Sequence, residues 1–106
     1  METIAFYIQG NSMFPTISNG DMVICSQLEQ FETVEENELY AIITHTGTVL
    51  VKRVQKIKNR NNKVVQLKLI SDNQSQYNPI KIPTQNIRSL LKVEQKVTAT
   101  TRAFVA

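Results

Sequence analysis

Cysteine, histidine and tryptophan are nearly absent from this sequence of 106 residues, which contains one Cys, one His and no Trp. A single cysteine excludes an internal disulfide, and the apolar neighbours of Cys25 predict a buried, reduced thiol in a cytoplasmic protein. No apolar run approaches the ~18 residues of a membrane-spanning helix, and the first residues lack a signal-peptide pattern. The sequence therefore indicates neither a disulfide-stapled secreted domain nor a membrane protein.

Charge is modest and slightly basic, with 20% charged residues and a formal net charge of +3. Together with 42% hydrophobic residues, this indicates one globular domain with a modest core. Aromatic residues make up 7% and do not alternate with basic ones, so a single-strand stacking platform is not supported. The basic excess after position 51 favours a solvated hairpin, with a nucleic-acid patch as the alternative. It consists of Lys52, Arg53, Lys56, Lys58, Arg60 and Lys63.

Apolar residues recur with a period near two, and turn signals recur every ~8–12 residues. Because helical patterns are scarce, this predicts an all-β fold of strongly bent, mostly antiparallel sheets. The acidic segment 28–38 is predicted to be an exposed connection with at most one helical turn. The predicted strands are 1–9, 22–26, 39–43, 48–57, 64–70, a short strand at 80–82, and 87–101. The first has one predicted buried face, formed by Ile4, Phe6 and Ile8.

A stretch rich in turn residues, G-N-S-M-F-P-T-I-S-N-G-D, follows the first predicted strand. Gly10 supplies the positive φ that a tight strand exit needs, and Ser12 lies just past it. Pro15 disfavours a helix through Ser12, and the Asn-Gly-Asp signal that ends at Asp21 predicts a turn. The stretch therefore predicts a serine on a rigid turn between two strands. On its own, this pattern favours a polar turn without chemistry.

A serine hydroxyl needs a base to become a nucleophile. The single His45 precedes a turn at Gly47, and no Asp or Glu has a spacing that marks it as an orienting partner, so a Ser/His/Asp triad is poorly supported. Lys52 is the alternative base, because it stands in the apolar run T-V-L-V-K-R-V. Burial lowers a lysine pKa, and a neutral amine can accept the serine proton. Arg53 is predicted on the opposite strand face, charged and solvated.

Three motifs in chain order carry a family resemblance: G-N-S-M-F-P-T-I-S-N-G-D, V-K-R-V and L-I-S-D-N-Q-S-Q-Y-N-P-I. From about position 6 to 97, the chain resembles the C-terminal domain of the LexA and phage-repressor family. These proteins are serine–lysine self-cleaving peptidases related to bacterial signal peptidases. The resemblance implies Ser12 as nucleophile and Lys52 as general base, with the backbone amides of Ser12 and Met13 holding the oxyanion. The residues implied to be structural near the site are Gly10, Pro15, Asp21, Arg53, Asp72 and Asn73.

The resemblance also implies a transcriptional regulator, namely a cytoplasmic, dimeric repressor of the SOS or stress response without cofactor or metal. Such proteins cleave an upstream loop of their own chain, usually at an Ala-Gly or Cys-Gly bond, when RecA filaments stimulate them. This sequence contains neither dipeptide. The cleavable segment is therefore absent from it, either because the sequence is a fragment or because this protein never had one. Residues 1–106 are expected to form one peptidase domain, with the cleavage loop and the DNA-binding domain upstream. DNA is expected to be contacted only through that separate domain.

The final predicted strand, at 90–98, is the expected homodimer contact, since an unpaired strand is a template for pairing. Two other interpretations remain open. One is a catalytically silent dimerisation or sensor module that keeps the fold and the serine–lysine pair. The other is the catalytic core of a signal peptidase, which would need a membrane anchor that this sequence does not show.

Overall fold

The computed structural model describes residues 3–99, whose strands form one sheet. The seven strands are β1 (Thr3–Tyr7), β2 (Met22–Gln27), β3 (Leu39–Thr44), β4 (Val49–Lys58), β5 (Val64–Ile70), β6 (Ile80–Pro83) and β7 (Ile87–Val97). Their order across the sheet is β1-β2-β7-β3-β4-β5-β6, and all neighbours are antiparallel. The predicted all-β, antiparallel fold is therefore confirmed. Positions 1, 2, 100 and 101 of the predicted outer strands lie outside the described residues.

β3 is covered on both faces, because it lies inside the sheet and its side chains enter two different cores. Tyr40 and Ile42 pack into a first core, and Ala41 and Ile43 pack into a second. This arrangement accounts for the continuous apolar run in the sequence of β3. The other buried members of the first core are Val34, Val54, Val64, Leu67, Leu69, Ile87 and Leu90.

The second core ties the turn-rich stretch to the sheet. Met13 and Ile17 are buried there together with Cys25 of β2. Cys25 is fully buried, as predicted, and burial, followed by the nearby Glu94 carboxylate, raises its pKa to about 11. Because Met13 directly follows Ser12, the loop that carries the predicted nucleophile is anchored in the core.

Among residues 3–99, the strands at the two edges of the sheet are β1 and β6. The predicted buried face of the first strand is wrong in part, since Ile4 is 42% exposed and Phe6 and Ile8 are only half-buried. Within the described part of the chain, β1 has a strand neighbour on one side only, so less of its surface is covered than an alternating pattern suggests.

The expectation that the final strand is an unpaired edge is also wrong. β7 lies inside the sheet, with β2 on one side and β3 on the other. Its ladder with β3 begins at Ile87 and ends at Lys92, whereas its ladder with β2 continues to Val97. The last five residues of β7 therefore have a strand partner on one side only among residues 3–99.

The acidic connection between β2 and β3 is an exposed segment with a single 3₁₀ turn, Phe31–Thr33, as the sequence predicts. It is anchored by Val34, which is buried in the first core. No helix among residues 3–99 is long and apolar enough to cross a membrane.

Candidate active site

A cleft of about 400 Å³ opens between β1 and β4. These strands are four places apart in the sheet order, so the sheet has to bend strongly to bring them to one cleft. Ser12 and Lys52, the two residues predicted to perform the chemistry, both line this cleft. The other lining residues are Phe6, Tyr7, Ile8, Gln9, Met13, Val49, Leu50 and Val51.

Ser12 lies on the loop that leaves β1. Gly10 has a φ of +88°, a left-handed conformation that favours glycine, and its amide donates to Asn19 Oδ1 at 2.9 Å. After Ser12, the Phe14 amide donates to the Asn11 carbonyl at 3.1 Å. The loop is thus fixed by hydrogen bonds on both sides of the half-buried Ser12.

The turn that follows β5 holds the same loop. The Asn73 amide donates to the Ser12 carbonyl at 3.0 Å, and Asn73 Nδ2 donates to the Asn11 carbonyl at 3.0 Å. The Asp72 amide donates to Met13 Sδ at 3.4 Å. Asp72 and Asn73 therefore lie against the Ser12 loop, where a structural role near the site was predicted for them.

Asp21 closes the far end of the loop. Its buried carboxylate accepts hydrogen bonds from the amides of Ser18 at 2.9 Å and Ala99 at 3.0 Å. Its carbonyl accepts one from the Ile8 amide at 2.8 Å. Asp21 thus joins the end of β1, the loop and the segment after β7. Pro15 follows a cis peptide bond in the middle of this loop.

Lys52 enters the cleft from β4, where its backbone pairs with Tyr40 of β3. Its side chain is only 9% exposed. The Nζ atom donates a hydrogen bond to Ser71 Oγ at 2.7 Å and lies 5.5 Å from the centre of the Tyr77 ring. Burial lowers the pKa of Lys52 below the ordinary 10.5, because the ammonium form loses its hydration. A neutral amine is therefore easier to reach at this position than on an exposed lysine.

Arg53 points to the opposite strand face, as predicted, but the expectation of a solvated side chain is wrong. Its guanidinium Nε lies 3.0 Å from Asp72 Oδ1, and its side chain is 29% exposed. Burial alone would raise the pKa of Asp72, but hydrogen bonds from Arg53 and Thr16 outweigh burial and lower that pKa below its usual value. The Arg53–Asp72 ion pair thereby fixes the turn that holds the Ser12 loop.

Ser71 is the site residue that sequence reasoning missed. Leu67, Leu69 and Ser71 alternate along β5 and its end, and all three are buried. Arg53 and Ile70 form the last pair of the β4–β5 ladder, so Lys52 and Ser71 occupy the next register position. A buried serine needs a polar partner. The sequence feature that could have identified Ser71 is thus its core-facing position, on a strand next to the one that carries Lys52 at a core-facing position.

One contact that the predicted Ser12–Lys52 pair implies is not formed among residues 3–99. The Ser12 hydroxyl has no hydrogen bond to Lys52, whose Nζ bonds to Ser71 instead. His45 lies outside the cleft at the end of β3, exposed, with its amide donating to the Asn86 carbonyl at 3.3 Å. In the same part of the chain, no three His, Cys, Asp or Glu side chains are grouped so that they could hold a metal ion.

Comparison with known proteins identifies the family of this chain. The family model described as Peptidase S24-like matches residues 1–94. The chain belongs to the Peptidase S24-like family. This confirms the resemblance to LexA and phage-repressor C-terminal domains that the three motifs indicated.

The chain is also similar to a relative from Haemophilus influenzae described as an uncharacterized HTH-type transcriptional regulator. The two are 34% identical over 92 residues, which cover 87% of this chain but 35% of the relative. The chain thus spans about a third of the length of this curated relative. No solved structure matches the chain.

Proposed function

We propose that this chain is the dimerisation and self-cleavage domain of a LexA-like or phage-repressor-like transcriptional regulator. It would act as a serine–lysine endopeptidase on its own protein. The observation that carries the proposal is the position of Lys52, a buried amine with a lowered pKa that lines the same cleft as Ser12. The Peptidase S24-like family and the HTH-type regulator among its relatives support the regulatory role.

The proposed reaction is hydrolysis of a peptide bond. Neutral Lys52 takes the proton of the Ser12 hydroxyl while Ser12 Oγ attacks the scissile carbonyl carbon. The Lys52 ammonium then gives this proton to the leaving amine, and water hydrolyses the ester formed on Ser12. The amides of Ser12 and Met13 would hold the oxyanion, and neither donates to an acceptor within residues 3–99.

Ser71 acts in this proposal as a positioning residue. Its hydroxyl bonds to Lys52 Nζ and holds the amine at the edge of the cleft. A lysine carries its amine on a flexible stem and has three positions for hydrogen bonds. The proposal requires Nζ to move from Ser71 toward Ser12, which lines the same cleft.

The proposed substrate is an extended segment of the same protein. The cleft is bounded by β1, which lies at one edge of the sheet among residues 3–99, and an extended segment can add to a sheet edge as a further strand. Because the substrate segment belongs to the same protein, its effective concentration at the cleft is high, so little further binding energy is needed to hold it there. RecA filaments would stimulate the cleavage, and a separate domain would read the DNA sequence, in a regulator that acts in the cytoplasm.

The proposed homodimer uses the part of β7 that follows Lys92. This part has a strand partner on the β2 side only among the described residues, so its other side is open to a second copy. Analytical ultracentrifugation tests this contact. A monomer at high protein concentration would contradict it, and Gln95→Pro, which removes an amide donor in this part of the strand, should dissociate a dimer.

Self-cleavage is tested with the natural gene product that contains this chain, at its full length. Incubation at neutral and alkaline pH, followed by mass spectrometry, should reveal a cut whose rate rises as Lys52 loses its proton. Ser12→Ala and Lys52→Ala should both abolish the cut. An intact protein at every pH, with its fold confirmed by circular dichroism, would exclude the peptidase.

The alternative is a dimerisation or sensor module without catalysis. It is favoured by one observation, namely that no hydrogen bond joins Ser12 to Lys52 within residues 3–99. In that case Lys52→Ala would leave dimerisation and gene regulation unchanged, whereas in the enzyme it would prevent inactivation of the regulator.

A further inference from the structure

Three neighbouring strands at the β6 end of the sheet carry a surface that the candidate active site does not use. Antiparallel partners project to the same side of a sheet, so the register places Gln55, Lys68 and Lys81 in one cross-strand row. Alternate residues of β5, Leu67 and Leu69, point to the buried side. A second cross-strand row, next to the first, consists of Ile57, Gln66 and Pro83. We call the side chains of these two rows, which project away from the buried side, the outer face. It consists of Gln55, Ile57, Gln66, Lys68, Lys81 and Pro83.

Lys68 and Lys81 stand directly opposite each other on the outer face. Like charges in directly opposed positions destabilise a sheet. Within residues 3–99, neither ammonium group has an ion pair or a side-chain hydrogen bond, in contrast to Arg53 and Lys92. The row ends at Gln55, which is neutral. The fold therefore keeps two unneutralised cations side by side at some cost to the sheet.

No carboxylate balances these cations. Between Glu38 and Glu94 the sequence contains one acidic residue, Asp72, and Arg53 binds it. The exposed glutamates of the 28–38 connection lie beside β4, where Asn37 Oδ1 accepts a hydrogen bond from Gln55 Nε2 at 2.8 Å and the Glu36 carboxylate accepts one from the Lys56 amide at 2.9 Å. The acidic segment thus borders the Gln55 end of the outer face, whereas none of its carboxylates contacts Lys68 or Lys81 among the described residues.

A shallow depression of about 550 Å³ adjoins the outer face and shares Gln66 and Pro83 with it. The remaining lining residues include amide, hydroxyl and ammonium groups but no carboxylate. They are Asn59, Lys63, Val64, Val65, Thr84 and Gln85. Two more exposed cations, Lys58 and Arg60, lie in or beside the hairpin that contains Asn59 and Lys63.

We propose that the outer face and this depression bind the phosphate backbone of double-stranded DNA. Lysine, glutamine, asparagine and threonine are the side chains that contact phosphate oxygens, and such contacts carry no sequence information. No aromatic side chain belongs to the outer face, so it lacks the stacking that single strands require. Protein partners usually dock on aromatic, Met or Arg anchors, whereas lysine is depleted from their interfaces.

This proposal goes beyond the expectation that DNA is contacted only through a separate domain. It concerns backbone contacts, which add affinity and leave sequence reading to that domain. It is independent of the proposed peptidase, because none of the residues involved lines the cleft of Ser12 and Lys52. A protein that does not cleave itself would not contradict the DNA-binding proposal, and a chain that does not bind DNA would not contradict the proposed peptidase.

The test measures binding of this chain to a fluorescein-labelled duplex of about 30 base pairs by fluorescence anisotropy, between about 50 and 200 mM salt. The logarithm of the association constant should fall linearly with the logarithm of the salt concentration. Lys68→Gln/Lys81→Gln should weaken binding at about 50 mM salt by roughly tenfold per lysine, and should reduce the slope by about 0.9 per lysine.

Two further variants test whether weaker DNA binding is caused by the loss of these two lysines rather than by a lower net charge or by unfolding. Arg88→Gln/Lys92→Gln removes the same charge from β7 and should leave the salt slope unchanged. Lys81→Glu replaces the repulsion across the strands by an attraction to Lys68, so it should raise the midpoint of thermal unfolding while weakening DNA binding.

Three results of the DNA-binding measurements would overturn the proposal. They are no salt-dependent binding by the wild-type chain, unchanged binding by the Lys68/Lys81 double variant, and an equal loss in the β7 double variant. A poly-glutamate peptide that binds the outer face more tightly than the duplex at equal charge concentration would assign an acidic protein partner instead. That result would also overturn the proposal.

Discussion

Lys52 Nζ lies 2.7 Å from Ser71 Oγ, at the register position just beyond the last paired residues of β4 and β5. Both side chains are buried, at 9% and 3% exposure. Their hydrogen bond satisfies two polar groups that would otherwise be costly in the interior. It also fixes the amine of Lys52 at the cleft that contains Ser12, so a contact that stabilises the fold also sets the geometry of the site.

Ser71→Ala is expected to lower the rate of self-cleavage by roughly ten- to a hundredfold, because Lys52 loses its orienting contact. The lysine ammonium also loses an oxygen that accepts its hydrogen bond, so the pKa of Lys52 should fall further. The rising limb of the cleavage rate against pH should therefore move to lower pH. Mass spectrometry of the cleavage products over a pH series measures both effects.

The matched control for this change is Ser75→Ala in the same turn, where the hydroxyl is exposed and donates only to Asn73 Oδ1 at 3.3 Å. It should leave the pH profile in place. Ser71→Thr keeps the hydroxyl and should keep the wild-type midpoint. An unshifted profile in Ser71→Ala would show that Ser71 only fills the core.

Lys52→Met should change how stability depends on pH. Burial lowers the folded-state pKa of Lys52 below the unfolded value, so between the two pKa values the unfolded chain binds more protons. The free energy of unfolding of the wild type should therefore rise with pH in that window, relative to Lys52→Met. The rise is about 1.4 kcal/mol for each unit by which the pKa is lowered.

Urea unfolding at a series of pH values from neutral to about 10.5, the ordinary lysine pKa, measures this difference. Ser12→Ala retains Lys52 and should follow the wild-type curve. If the stability curves of the wild type and Lys52→Met run parallel, the lysine is not desolvated in solution, and its proposed role as a neutral base fails.

Local periodicity was sufficient to predict the strands, because it depends on residues close together in sequence. The alternation of β5 and the continuous apolar run of β3 both gave the correct elements. Strand order is different, since it depends on contacts distant in sequence. β7 pairs with β2 and β3, not with its sequence neighbour β6, and nothing in the pattern of residues 87–97 distinguishes a central strand from an edge.

The candidate site shows the same difference between features that depend on local sequence and features that depend on contacts distant in sequence. The Ser12 stretch alone favoured a polar turn, and only the three motifs together, with their family resemblance, predicted that Ser12 and Lys52 would act as a pair; the structure places both on one cleft. The partners of Lys52 could not be predicted, because Ser71 and Tyr77 come from the turn after β5 and reach Lys52 only through the β4–β5 register.

Asn73→Ala is expected to reduce self-cleavage more than it reduces stability. The lost hydrogen bond from Asn73 Nδ2 to the Asn11 carbonyl contributes about 1 kcal/mol to the free energy of unfolding. The same bond fixes the loop that carries Ser12, so its loss should also displace the proposed nucleophile. Urea unfolding and cleavage assays on the same preparation separate the two effects.

Asn78→Ala is the control for this change, since Asn78 is exposed and has no side-chain hydrogen bond among the described residues. It should alter neither property. A cleavage rate in Asn73→Ala equal to the wild-type rate, with the stability lowered, would show that the Ser12 loop keeps its geometry without this clamp.

Asp72→Asn is expected to lower the free energy of unfolding by about 1 to 2 kcal/mol at pH 7, because Arg53 loses the charge of its partner in a half-buried pair. The effect should depend on pH with a definite sign. The folded-state pKa of Asp72 lies below its unfolded value, although burial opposes this, because Arg53 and Thr16 bind the carboxylate. The stabilisation is therefore complete above the unfolded pKa of about 3.9 and is lost as pH falls through the folded pKa.

Unfolding curves of the wild type and Asp72→Asn should accordingly converge as the pH is lowered below about 3.9. Glu29→Gln removes an exposed carboxylate from the 28–38 connection and should change the free energy of unfolding by at most about 0.5 kcal/mol. A difference between wild type and Asp72→Asn that stays constant with pH would mean that the ion pair contributes through shape alone. The turn would then hold the Ser12 loop through its backbone amides, and the charge of Arg53 would not contribute.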